Sequence, residues 1–157
     1  MIAIRKCTDE DLSTVHEIQM DTEKRGDLWG YKADSMADLQ KQDKDWFWVA
    51  VGNAMIIGYA FCGEYMNQGE CIFESDDRVL EVIDLGVRVE CWGKGVASEL
   101  LTAIESQAKA RSYDKIIVYT SAKRFDDILR FYRRNGFKTW WAQMFKDLGS
   151  SQSVKSV

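Results

Sequence analysis

A chain of 157 residues, 46% apolar and 29% charged, is long enough to bury one core and too short for two domains of ordinary size. Its formal charge of −4, with Lys and Arg dispersed along the sequence, argues against a nucleic-acid ligand, which calls for a banked basic patch. A lone His16 excludes a His-rich metal site, no apolar run reaches the roughly 20 residues that span a bilayer, and Cys7, Cys62, Cys71 and Cys91, without C-x-x-C spacing or a leading signal core, are expected to be free thiols of a cytoplasmic protein.

Residues 1–5 read as a first strand. Thr8 followed by Asp11 resembles a capping box and predicts a helix with Leu12, Val15 and Ile18 on one face. A polar connection containing Gly26 and Gly30 leads to a shorter helix at 33–41. Two β-rich runs, 46–51 and 54–63, are joined by Gly52-Asn53, a two-residue hairpin signal. Residues 64–77 form a polar connection, 79–89 the next strand, and 94–110 a helix in which Ala97, Leu100, Leu101, Ile104 and Ala108 follow helical spacing. A compact strand at 115–120 precedes a helix that runs to Asn135 and stops at Gly136, a left-handed cap. Residues 137–145 supply one or two final strands, and 149–157 a frayed tail. This order gives a single α/β (α+β) domain over residues 1–148, with helices flanking a mixed sheet.

The strand at 79–89 runs into Gly93-Lys94-Gly95 and straight out into a helix. Glycines permit positive φ and close approach, and the first amides of a helix have no intrahelical partner, so the three parts in series form an anion cradle. Lys94 adds a cation, and a phosphate-bearing ligand follows. A P-loop is excluded, because Lys94 is followed by Gly95 rather than a magnesium-holding hydroxyl. The dinucleotide fingerprint fails too: Ser98 stands at its third small position, and Tyr119-Thr120-Ser121 offers no acid at the end of the next strand.

Leu85-Gly86-Val87 followed by Trp92-Gly93-Lys94-Gly95-Val96-Ala97 resembles motif A of the GNAT superfamily of acyl-CoA-dependent N-acetyltransferases. Phe131-Tyr132-Arg133-Arg134-Asn135-Gly136-Phe137 resembles the same family's motif B, in the right order and at about the usual distance. Three positions depart from the pattern: Trp92 stands for Gln or Arg, Val89 for Pro, and Phe125 for a pantetheine-holding Asn. The resemblance implies a mostly antiparallel mixed sheet, acetyl-CoA as cosubstrate, no metal, and a small-molecule or peptide amine as acceptor, with a homodimer as a common assembly. It implies that main-chain groups of Leu85 and Val87 hold the pantetheine arm, in a gap where that strand diverges from the next. Trp92, Gly93, Lys94, Gly95, Val96, Ala97 and Ser98 would surround the pyrophosphate. Tyr132 would protonate the departing thiolate, a task open to a phenol because it stays protonated at neutral pH.

A base must also take the acceptor's proton, and Asp84 is the chosen candidate, against the reading of a solvated or paired carboxylate. Glu81 is the neighbour considered beside it, and strict strand alternation puts the two on opposite faces. From Glu64 to Asp84 seven acids face the single base Arg78, either rimming a cleft for a cationic amine or forming a solvated loop. Trp29, Tyr31, Trp46 and Trp48 offer an aromatic wall, with core packing equally open for the last two. Cys91 lacks an evident base and is the least favoured nucleophile. The rival functions are a non-catalytic acyl-CoA-binding module, motivated by Trp92 and Phe125, and a toxin-type enzyme that acetylates aminoacyl-tRNA, which needs a basic face.

Overall fold

A computed structural model describes residues 1–149. In chain order the elements are β1 (Ile2–Lys6), α1 (Leu12–Arg25), α2 (Met36–Lys41), β2 (Phe47–Gly52), β3 (Met55–Tyr65), β4 (Val79–Val87), α3 (Val96–Ala110), β5 (Lys115–Val118) and α4 (Phe125–Arg134). The strands form one sheet in sequence order, β1 to β5. Neighbours are antiparallel except β4 and β5, which run parallel because α3 carries the chain back across the sheet.

Helix α1 begins as its sequence directs. Asp11, in the 3-10 turn Asp9–Asp11, accepts from the Thr8 N–H at 2.8 Å, and the Arg5 guanidinium forks onto both its oxygens at 2.6 and 2.8 Å. That fork holds the Asp11 carboxyl down at about 2. Leu12, Val15 and Ile18 are buried against Phe47, Val49, Tyr59 and Phe61 on one face of the sheet. The other face packs Trp46, Trp48, Ala60, Cys62, Leu80 and Val82 against Leu100, Leu101, Ile104 and Ala108 of α3. Trp46 and Trp48 are therefore core, and the expected aromatic wall loses them.

The hairpin lies one residue later than expected. Gly52 pairs with Met55, so the two-residue turn is Asn53-Ala54, both left-handed at φ 50 and 61, as a type I′ turn requires. Gly52 stays in the strand, where a Cβ would stand 2.8 Å from Ile57 Cδ1.

A bulge in β4 changes which residues share a face. Phe61 pairs with Asp84 but Cys62 pairs with Val82, leaving Ile83 without a counterpart. Leu80 and Val82 thus face α3, while Asp84 and Gly86 turn to the α1 side with Phe61 and Tyr59. Glu81, opposite Gly63, falls on the same side as Asp84, contrary to the alternation argument. The acidic run from Glu64 enters β4 at its start, about 16 Å from Asp84. Of its seven acids Glu81 and Asp84 stand in β4 itself, and among the other five Asp77 pairs with Lys115 and Glu70 accepts from Tyr65.

The strands expected within 137–145 do not form. The apolar side chains of this segment, Trp140, Trp141, Met144 and Phe145, are all exposed, so neither face of it is buried as a sheet strand's inner face is. The outer edge of β5 therefore has no partner strand among the described residues, and a cavity of about 780 Å³ lies between β5, α3, α4 and this segment. Of the expected tail at 149–157, residues 150–157 lie outside the described residues.

Candidate active site

Pairing between β4 and β5 stops at Val82 and Val118, yet β4 continues for five residues to Val87. From Ile83 onward the β5-facing edge of β4 has no strand partner among the described residues, which is the gap expected at Leu85 and Val87. Trp92 uses part of it: its indole N–H donates to the Val87 carbonyl at 2.9 Å. The Trp92 ring is half exposed and lies under the Arg25 guanidinium, 5.1 Å from its centroid.

Beyond β4 the 3-10 turn Val89–Cys91 leads to Gly93 at φ +73 and Gly95 at φ +83, the latter capping α3. Only glycine holds such angles without strain. A Cβ on either would meet nothing within 4 Å, so the space before the turn is open. The first bond of α3 runs from the Glu99 N–H to the Gly95 carbonyl at 3.0 Å. The N–H groups of Val96, Ala97 and Ser98 precede it and have no intrahelical partner. The geometry suits an anion such as a pyrophosphate.

Asp84 lies on the opposite side of the same strand end, enclosed by three donors. Its Oδ2 accepts from the Tyr59 hydroxyl at 2.6 Å, Gln19 Nε2 at 3.0 Å and the Tyr31 hydroxyl at 3.1 Å. No donor reaches Oδ1 among the described residues. Burial raises the Asp84 carboxyl above its ordinary value, while the hydrogen bonds from Tyr59, Gln19 and Tyr31 oppose that rise. Tyr59 and Gln19 are themselves buried, and burial followed by the Asp84 charge lifts both the Tyr59 and Tyr31 phenols.

Gly86 makes this arrangement possible. A Cβ there would stand 2.5 Å from the Tyr59 ring, so Gly86→Ala is expected to cost about 1–3 kcal/mol of stability and to push Tyr59 off Asp84. Thermal unfolding with parallel turnover measurements checks both effects; an unchanged melting temperature would contradict this packing.

Tyr132 comes from α4, its ring set edge-on between Phe131 and Phe137 at 5.0 and 5.4 Å. Burial, and then the Asp84 charge, push its phenol up to about 12. Its hydroxyl has no hydrogen-bond partner among the described residues. Phe125 opens α4 and lines the 780 Å³ cavity together with Tyr132. A strap covers the neighbourhood: the connection after α1 bonds to the turn after β5 through Trp29 N–H to Ser121 carbonyl and Lys123 N–H to Asp27 carbonyl, each 2.9 Å. Leu28 and Ala122 bridge between them.

The structure thus gathers Asp84, Tyr132 and the strand gap at one end of β4, with Trp92 to Ser98 beside them. Of the aromatic wall only Tyr31 reaches Asp84; Trp29 is exposed, with Lys123 Nζ 4.8 Å from its ring centroid. Gln19, Asp34 and Tyr59 escaped the sequence reading. Gln19 had a visible signal, a polar residue seven positions after Leu12 on the apolar face of a helix. Tyr59, in an apolar strand, had none.

The sequence profile of the Acetyltransferase (GNAT) family matches residues 12–137. No curated protein matches the chain by sequence. Solved structures share the fold: an aminoglycoside N-acetyltransferase, AAC(6')-Iy in complex with CoA, is 18% identical at TM-score 0.71, with 94% of each chain covered. A ribosomal-protein-alanine N-acetyltransferase from Brucella melitensis biovar Abortus 2308 is 16% identical at TM-score 0.68, covering 95% of this chain and 100% of that one. A transcriptional regulator from Bacillus halodurans C-125 is 21% identical at TM-score 0.72, covering 94% and 99%. The profile runs from the first residue of α1 to the phenylalanine that follows the α4 cap, and so takes in the strand gap, the glycine turn and Tyr132: the chain belongs to the GNAT family of acetyltransferases.

Proposed function

We propose that the protein transfers an acetyl group from acetyl-CoA to a primary amine by direct attack. The observation that carries this reading is the convergence at one end of β4 of an unpaired strand edge, a glycine-capped helix N-terminus and a carboxylate with one oxygen free. The pyrophosphate rests on the amides of Val96, Ala97 and Ser98, with Trp92, Gly93, Lys94 and Gly95 around it. The pantetheine arm lies along β4 at Leu85 and Val87, the Val87 carbonyl being held by Trp92. Asp84 Oδ1 takes a proton from the acceptor ammonium, and the neutral nitrogen attacks the thioester carbonyl. The new C–N bond forms as the C–S bond breaks, the thiolate receives the Tyr132 proton, and the nitrogen sheds its second proton to the resulting phenolate, which restores Tyr132. Holding both substrates in one cleft supplies the orientation on which such a two-substrate step depends.

Acetyl-CoA titrated calorimetrically into the protein, followed by an amine screen, tests this. Tyr132→Phe is expected to lower kcat about 10²-fold, at the low end for lost acid catalysis, with acetyl-CoA affinity unchanged. Equal turnover by the variant would remove Tyr132 from the chemistry. Binding without turnover of any amine would turn the protein into a non-catalytic acyl-CoA-binding module.

A further inference from the structure

Helix α1 buries one polar side chain, Gln19, which is 0% exposed beside Leu12, Val15 and Ile18. A buried amide costs free energy unless its groups are paired, and those of Gln19 are. Its oxygen accepts from the Asp34 N–H at 3.1 Å, and because a backbone N–H only donates, this bond fixes which end of the amide is the nitrogen. That nitrogen sends one N–H to Asp34 Oδ2 at 2.8 Å and the other to Asp84 Oδ2 at 3.0 Å. The two bonds to Asp34 suffice to dock the strap on α1; the bond to Asp84 goes beyond docking. Tyr31, three residues before Asp34 in the same strap, donates to the same Asp84 oxygen at 3.1 Å. Loss of the Gln19 amide therefore removes one donor to Asp84 and loosens the segment that carries another. Among the described residues no lysine or arginine pairs with Asp84 or Asp34, so uncharged donors alone support the ionised base. Burial raises the Asp84 carboxyl and the Asp34 charge adds to the rise, while Tyr59, Gln19 and Tyr31 oppose it.

We infer that Gln19 is a positioning residue for the acetyl-transfer step: it ties the strap to the base and holds Asp84 by Oδ2, so that Oδ1 is presented to the acceptor amine. The inference rests on the acetyl-transfer reading, in which Asp84 is that base. The other titratable groups around Asp84 are Tyr59 from β3, Tyr31 and Asp34 from the strap, Tyr132 from α4, and Glu81 on the same face of β4.

The test sets Gln19→Met beside Asp34→Asn, with kcat, KM and the pH profile of each. Gln19→Met is expected to lower kcat about tenfold or more with the acetyl-CoA KM unchanged, since Gln19 bonds to Asp84 across β4 from the glycine turn. It should also move the acid limb of kcat/KM to higher pH, because a donor to the carboxylate is gone, whereas Asp34→Asn should move it to lower pH, because a neighbouring negative charge is gone. A strap that is merely loosened would move both limbs the same way or neither, and either result would overturn the inference. Should Gln19→Met not fold, Gln19→Glu keeps the shape and an acceptor for the Asp34 N–H, and an acid limb left in place there would overturn it equally. Carbon NMR of the Asp84 carboxyl reads the link without turnover. An upward move of that titration in the Gln19 variant, in a parent that acetylates no amine, would uphold the hold of Gln19 on Asp84 and overturn acetyl transfer alone; no move would overturn the inference whether or not the parent turns over.

Discussion

Asp84→Asn is expected to lower kcat/KM by about 10²–10⁴-fold while leaving the protein folded and, at neutral pH, more stable than the parent. All three hydrogen bonds to this residue converge on one oxygen, Oδ2, from Tyr59, Gln19 and Tyr31. An asparagine keeps a carbonyl oxygen there and replaces only Oδ1, the atom without a donor and the one assigned to take the proton. The stability effect follows from linkage. Burial raises the Asp84 carboxyl above its ordinary value of 3.8, so the folded protein holds that proton more tightly than the unfolded chain does. The associated stabilisation is complete below 3.8 and lost as pH rises through the folded value; asparagine escapes that loss. Urea unfolding of parent and variant at pH 4 and pH 8 should show a difference that grows with pH in favour of the variant. The acid limb of the parent's kcat/KM profile should also lie above the usual carboxylate range and vanish in the variant. Full activity in Asp84→Asn would send the search for the base elsewhere.

What the sequence made legible were features set by local chemistry. Gly93 and Gly95 were readable because positive φ next to a helix start is a demand few residues meet, and Leu12, Val15 and Ile18 because their spacing is the helix's own. The family resemblance rested on those same glycines and on Tyr132, and the profile match bears it out. What stayed hidden depends on partners distant in the chain. The bulge at Ile83 exists only because β3 and β4 pair with one residue to spare, and it is what turns Asp84 toward α1 and brings Glu81 to the same face. Tyr59 and Asp34 enter the site through hydrogen bonds spanning 25 and 15 residues. The final strands were over-read at 137–145, where a strand depends on pairing with the outer edge of β5, a partner distant in the chain, and where Trp140, Trp141, Met144 and Phe145 stay exposed instead.

Gly95→Glu is expected to raise the acetyl-CoA dissociation constant about 100-fold or more, and Gly95→Ala by less than about tenfold. Both variants place a side chain at φ +83 and carry the same left-handed strain, about 1–2 kcal/mol. Neither meets a clash, since nothing stands within 4 Å of a Cβ at this position. The difference between them is the carboxylate. Set at the cap of α3, it can turn onto the free N–H groups of Val96, Ala97 and Ser98 and satisfy them, with the helix dipole contributing about 0.3–1 kcal/mol. Gly95→Glu should therefore melt no lower than Gly95→Ala even as it loses acetyl-CoA, because the side chain becomes an intramolecular rival for the cradle. Added salt should recover little affinity, since the site is filled and not merely repelled by charge. Calorimetric titration and thermal unfolding of the two variants side by side separate strain from competition. Wild-type affinity in Gly95→Glu would mean that the phosphates bind away from this turn, and the role given to residues 92–98 would fall with it.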